Sequence, residues 1–101
     1  MGDYFVTDEA AADLAKLWDM HTERGGAKAN AIQLFDGLLE TFQVLADFPN
    51  AGTTRPYLQD GVLAMPYRKH MIFYAQRPER VDILHILYGS IDFEAYFSES
   101  G

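Results

Sequence analysis

The stretch VDILHILYGSIDFEAYF, residues 81–97, decides how this chain folds. Its first eight residues are dominated by Val, Ile and Leu, as a strand buried in a sheet requires. Gly89 ends that run, and residues 91–97 suit a short helical tail. The strand also carries His85 and closes on Tyr88, two side chains that can move protons. Side chains alternate along a strand, so Val81, Ile83, His85 and Leu87 are expected on one face. Asp82, Leu84, Ile86 and Tyr88 are expected on the other. His85 and Tyr88 then cannot act on one phosphate unless a bulge intervenes.

Two further runs upstream, residues 62–65 and 71–75, are rich in β-branched and aromatic residues and predict strands. Pro66 lacks the N–H that a central strand needs, which places it at a strand end or a bulge. On the third strand, Arg68 and His70 are expected to share a parity with Ile72 and Tyr74. Residues 76–80, QRPER, predict a hairpin turn.

The period changes nearer the N-terminus. Tyr4, Phe5 and Val6 suit a short strand. Thr7 followed by Asp8 and Glu9 predicts an N-cap with acids in the first helical turn. Leu14, Leu17, Trp18 and His21 recur at helical spacing, and Arg24-Gly25-Gly26 supplies a stop. A second helix is predicted over residues 27–47, with Ala27, Ala31, Leu34, Phe35, Leu38, Phe42 and Leu45 on one face and Leu39 widening it. Gly37 inside this helix costs about 1 kcal/mol against alanine, so it either weakens the helix or marks close packing. Residues 48–52, FPNAG, end it. The short link predicts an antiparallel helical hairpin. The order β-α-α-β-β-β plus a tail predicts an α+β fold, with the hairpin packed on one face of a mostly antiparallel sheet.

Length and composition bound the rest. The 101 residues suit a single domain spanning 1–101. With 49 % hydrophobic residues, 14 % aromatic, the chain can build a core. It has no cysteine, which excludes disulfides and thiolate metal sites. No apolar run is long enough to span a membrane, and the N-terminus is unlike a signal peptide, so the cytoplasm is the expected location. The net charge of −7 is uneven. Residues 1–47 hold nine acids against three bases, and residues 48–101 hold six against five. Such a field repels phosphate, so direct nucleic-acid binding is not expected.

Four segments, in register, resemble the RelE/ParE superfamily of bacterial type II toxins. They are EAAADLAKLWDM (9–20), LLETFQVLADFPNAGTTRPYL (38–58), MIFY (71–74) and the opening stretch, 81–97. The likeness covers roughly residues 4–97 and is greater to the ParE branch than to the RelE branch. It implies a toxin that poisons DNA gyrase by binding, with no catalysis of its own, and that is neutralised by a cognate antitoxin. Two alternatives accompany it: a RelE-like ribosome-dependent mRNA endoribonuclease, and a non-toxic family member that only binds an antitoxin. The third is motivated by the chain's acidity and by three departures. Tyr88 stands where the branch usually has histidine, Ile91 where it has arginine, and His85 where the fourth strand has arginine.

Cleavage of RNA without a metal needs a base, a cation on the phosphate and an acid. Arg68, His70 and Tyr88 are the catalytic candidates under the nuclease alternative, and the ParE reading assigns no catalytic residue. Arg55, Tyr57, Arg68, Lys69, His85 and Tyr88 are the candidate partner-binding residues. His85 otherwise reads as a hydrogen-bonded strand histidine, and Tyr88 as a core-edge or interface tyrosine. His21 reads as a helix-end residue. Asp8, Glu9 and Asp13 read as capping and a solvated face. Three histidines with no close ligand spacing give no support for zinc, and no motif points to a cofactor.

Overall fold

Thr7 fixes how the chain enters its first helix. Its Oγ1 accepts the Ala10 N–H at 3.2 Å, capping the helix, and donates to the Ile83 carbonyl at 2.8 Å. One hydroxyl thus starts a helix and ties it to the central strand. In the computed structural model, which describes residues 2–23 and 28–100, the elements are β1 (Asp3–Val6), α1 (Asp8–Glu23), α2 (Lys28–Asp47), β2 (Val62–Tyr67), β3 (His70–Gln76), β4 (Arg80–Tyr88) and α3 (Phe93–Ser100). The expected stop at Arg24-Gly25-Gly26, and Ala27, lie outside the described residues. No described helix is long and apolar enough to cross a membrane.

The strands form one sheet in the order β1-β4-β3-β2, with β1 parallel to β4 and the other pairs antiparallel. This is the expected α+β arrangement. The α1–α2 hairpin covers one face. Leu34, Leu38, Phe42 and Leu45 of α2 pack with Ile72, Tyr74, Val81, Ile83 and Ile86 of the sheet. Burying each such side chain stabilises by about 1.5–3 kcal/mol. The other face is covered by α3, whose Phe93, Tyr96 and Phe97 pack on Ala64, Phe73 and Leu87.

Gly37 earns its place by contact, as its sequence position implied. A Cβ there would collide with the Tyr67 hydroxyl, which lies across α2 at that point. Leu39, expected to widen the buried face, instead stands exposed on the outer side of α2.

Two strand expectations are corrected. The second strand does not stop before Pro66 but continues to Tyr67, because β2 is a sheet edge where a missing N–H costs no ladder bond. Arg68 is not on the third strand. It opens the two-residue turn between Tyr67 and His70 with a φ of 53°, a left-handed conformation.

The alternation read along residues 81–88 is also interrupted. Phe73 faces His85 and Tyr74 faces Ile83, so β4 has one extra residue at this point. Val81, Ile83 and Ile86 face the hairpin, whereas His85 and Leu87 pass to the α3 face. A bulge of this kind re-aims every side chain beyond it. His85 therefore does not share a face with Val81 and Ile83. It still lies opposite Tyr88, since residues 85–88 alternate regularly beyond the bulge.

Candidate functional site

Just past the bulge, the first helix supplies an acceptor to the strand. Asp13, one turn into α1 on the side facing β4, accepts the Ile86 N–H at 3.1 Å and His85 Nδ1–H at 3.0 Å through one oxygen, Oδ2. Asp13 is thus a structural acceptor and not the solvated acid its sequence position implied. His85 meets the ring edges of Tyr96 at 5.6 Å and Phe97 at 6.0 Å. Burial, and then the Asp13 carboxylate, hold the Tyr96 hydroxyl's pKa above its ordinary value.

Beside this junction α1 and the ends of β3 and β4 enclose a cleft of about 690 Å³. Its apolar surface comes from Leu17, Met20, Ile86, Leu87 and Ile91, and its polar groups are Asp13, Lys16, His21, Lys69, His70 and Tyr88. Helical spacing puts the α1 members on one side of that helix. His70 begins β3 opposite Tyr88 at the end of β4, and their rings meet edge to face at 5.6 Å. The His21 ring lies 6.4 Å from His70 and is oriented by its Nδ1–H, which donates to the Leu17 carbonyl at 2.9 Å. His70 is only 6 % exposed, and its Nδ1 has no hydrogen-bond partner among the described residues. Burial lowers its pKa, and positive charge on His21 lowers it further, so its neutral form is favoured.

The cleft gathers three of the sequence-derived residues, Lys69, His70 and Tyr88. The others sit elsewhere. Arg68, next to Lys69, lays its guanidinium over the Tyr67 ring at 5.4 Å. Arg55 donates to Thr53 Oγ1 and the Thr54 carbonyl in the loop before β2. Tyr57 stacks on Phe97 at 6.0 Å, at the α3 face. Lys16, Met20 and His21 were not read as site residues. Their i, i+4, i+5 spacing was visible, but only the fold shows which strand end they face. Among the described residues no three carboxylate, imidazole or thiol groups are placed to hold a metal ion. The cleft can attract an anion through its ammonium groups and can take up a proton at His70.

A family model described as "ParE toxin of type II toxin-antitoxin system, parDE" matches residues 4–93. The chain belongs to that family. The match takes in the ParE sheet but for Asp3 at the start of β1, the hairpin and every residue lining the cleft. Among solved structures, the "Chromosomal ParDE TA system from P. aeruginosa" contains a chain similar to this one, with a TM-score of 0.72 and 23 % identity over 87 % of this chain and 96 % of that chain. At that identity the likeness speaks for the ParE fold alone. No curated protein matches the chain.

Proposed function

We propose that this ParE-family chain is the toxin of a parDE-type module, arresting growth by binding DNA gyrase in the cytoplasm and neutralised by a cognate antitoxin. The observation that carries this reading is the family match across residues 4–93. The ParDE assembly from P. aeruginosa, a toxin–antitoxin system by its description, supports an antitoxin partner.

The surface suggests how such a partner is held. Ile32 and Leu39 stand exposed two turns apart on α2, and β1 offers a sheet edge, while that of β2 is already paired at Ala64 by Thr53. An amphipathic helix and an added strand are the recognition modes such surfaces serve. Arg55, Tyr57, Arg68, Lys69, His85 and Tyr88 are the candidate contacts. Affinity rests on apolar anchors, because exposed charge pairs contribute little each. The acidic hairpin favours a basic antitoxin segment.

One observation favours a second reading. His70 and Tyr88 are edge to face, with Lys69 adjacent, so a base, an acid and a cation share one cleft. That combination would serve an endoribonuclease.

Induction of this chain alone in a bacterial host tests these readings. The gyrase reading expects growth arrest with trapped gyrase–DNA breaks, abolished by co-expressed antitoxin. Arrest with cut messages and no breaks, lost on His70→Ala or Tyr88→Phe, would replace it with the nuclease. A folded chain that causes no arrest but binds its antitoxin would leave only the partner-binding role.

A further inference from the structure

Eight large apolar side chains stand exposed on the described surface, and three of them, Met20, Tyr88 and Ile91, gather at the cleft between α1 and β4. The electrostatics there run against the rest of the molecule. The chain carries a net charge of −7, yet this cleft presents Lys16, Lys69, His21 and His70 against a single carboxylate. That carboxylate, Asp13, is engaged by His85 and the Ile86 N–H. Two ammonium groups beside an apolar floor repel a metal ion or an organic cation and suit an anion with an apolar body. A cleft of about 690 Å³ matches the size of small-ligand sites, which pair apolar walls with a few convergent polar groups.

His70 adds an independent observation. It is nine-tenths buried, lines the cleft, and keeps a buried Nδ1 with no partner among the described residues. Buried polar atoms are almost always paired, so this one calls for a partner.

We propose that the cleft binds an amphipathic organic anion, its carboxylate or phosphate head held by Lys16, Lys69 and His70 and its short apolar arm laid on Leu17, Ile86 and Ile91. The site does not depend on the toxin reading, although it shares Lys69 and Tyr88 with the candidate partner contacts. The groups facing His70 are Asp13, Lys16 and His21 from α1, Lys69 from the turn and Tyr88 from β4. Burial and His21 both oppose a proton on His70, and an anionic head offsets both. Ligand binding therefore draws a proton onto His70, and affinity rises as pH falls.

The test is NMR titration of the full chain with octanoate, octyl phosphate, inorganic phosphate and octanol, following the Leu17, Ile86 and Ile91 methyls and the His70 ring proton. Octanoate or octyl phosphate is expected to move these signals and raise the His70 titration midpoint, and whichever binds tighter identifies the head group. Octanol and inorganic phosphate, each lacking one half of the ligand, are expected to bind more weakly. Lys69→Met, a change in an exposed turn, is expected to weaken octanoate by about two- to five-fold, the size of one exposed charge. His70→Gln is expected to remove the rise in affinity between pH 7.5 and 5.5. Octanol binding as tightly as octanoate and octyl phosphate would overturn the proposal. So would a lack of response in the cleft methyls to either anion, or a His70→Gln variant that keeps the full pH dependence.

Discussion

Asp13 and His85, 72 residues apart in sequence, meet at 3.0 Å, and the same Asp13 oxygen takes the Ile86 N–H at 3.1 Å. The pair closes the β4 bulge against α1 and holds the imidazole under Tyr96 and Phe97. Asp13→Ala leaves a backbone N–H in the sheet without its acceptor, at a cost of about 1–3 kcal/mol. His85→Ala leaves that N–H paired and should cost less. Chemical denaturation of both variants checks the order, and a larger loss for His85→Ala would contradict it.

Gly52 sits where the chain turns back beneath Tyr74. Its N–H donates to the Tyr74 hydroxyl at 2.9 Å, and that hydroxyl donates to the Pro49 carbonyl at 2.8 Å. A Cβ at Gly52 would lie 2.7 Å from the Tyr74 oxygen and 2.8 Å from the Ala64 carbonyl oxygen. Tyr74 is fully buried and the second neighbour is backbone, so neither gives way easily. Gly52→Ala should destabilise by about 1–3 kcal/mol, the range for overpacking. A variant melting at the parent temperature would show that the loop relaxes freely.

His70 gives stability a pH dependence whose sign follows from its lowered pKa. In the unfolded chain the imidazole titrates near its ordinary value of 6.5, and in the folded protein it titrates below that. Between the two values the unfolded state binds more protons, so stability rises with pH. The contribution is complete above the unfolded value and is lost as pH falls through the window beneath it. Thermal melts from pH 7.5 to 5.5 should show a steeper loss for the parent than for His70→Gln. Parallel curves would remove His70 from the account.

Asp82 is buried on β4, and each of its oxygens has a separate cation. Arg77 Nε reaches Oδ2 at 3.0 Å and Arg80 Nε reaches Oδ1 at 2.8 Å. Both arginines are about half exposed, so either single alanine variant should cost under about 1 kcal/mol. The double variant strips a buried carboxylate of both partners, and its loss should exceed the sum of the singles. A double-mutant cycle with strictly additive losses would show that water replaces the guanidinium groups without penalty.

Local rules settled the elements of this chain. Thr7 before two acids sets the start of α1, the repeat from Leu34 to Leu45 sets the buried side of α2, and Gly37 announces a close contact. These were legible because each depends on neighbours within a turn or two. Arg68 was misplaced because a two-residue turn with a left-handed first residue has no signature when that residue is arginine. Leu39 was misplaced because hydrophobicity gives a helix a face but not its width.

The site belongs to the other category. His21, His70 and Tyr88 lie on three elements, and nothing in their spacing brings their rings within about 6 Å. The β4 bulge sends His85 to the α3 face, while Ile86 and Tyr88 face the hairpin. By itself the sequence determined the helices, the strands and their order, because hydrophobic period and capping are short-range properties of the backbone. Only the tertiary structure decided which face each polar side chain of β4 occupies and what it meets, because one extra residue in a strand reverses the alternation beyond it, and Asp13 reaches His85 and the Ile86 N–H only through the packing of α1 on the strand.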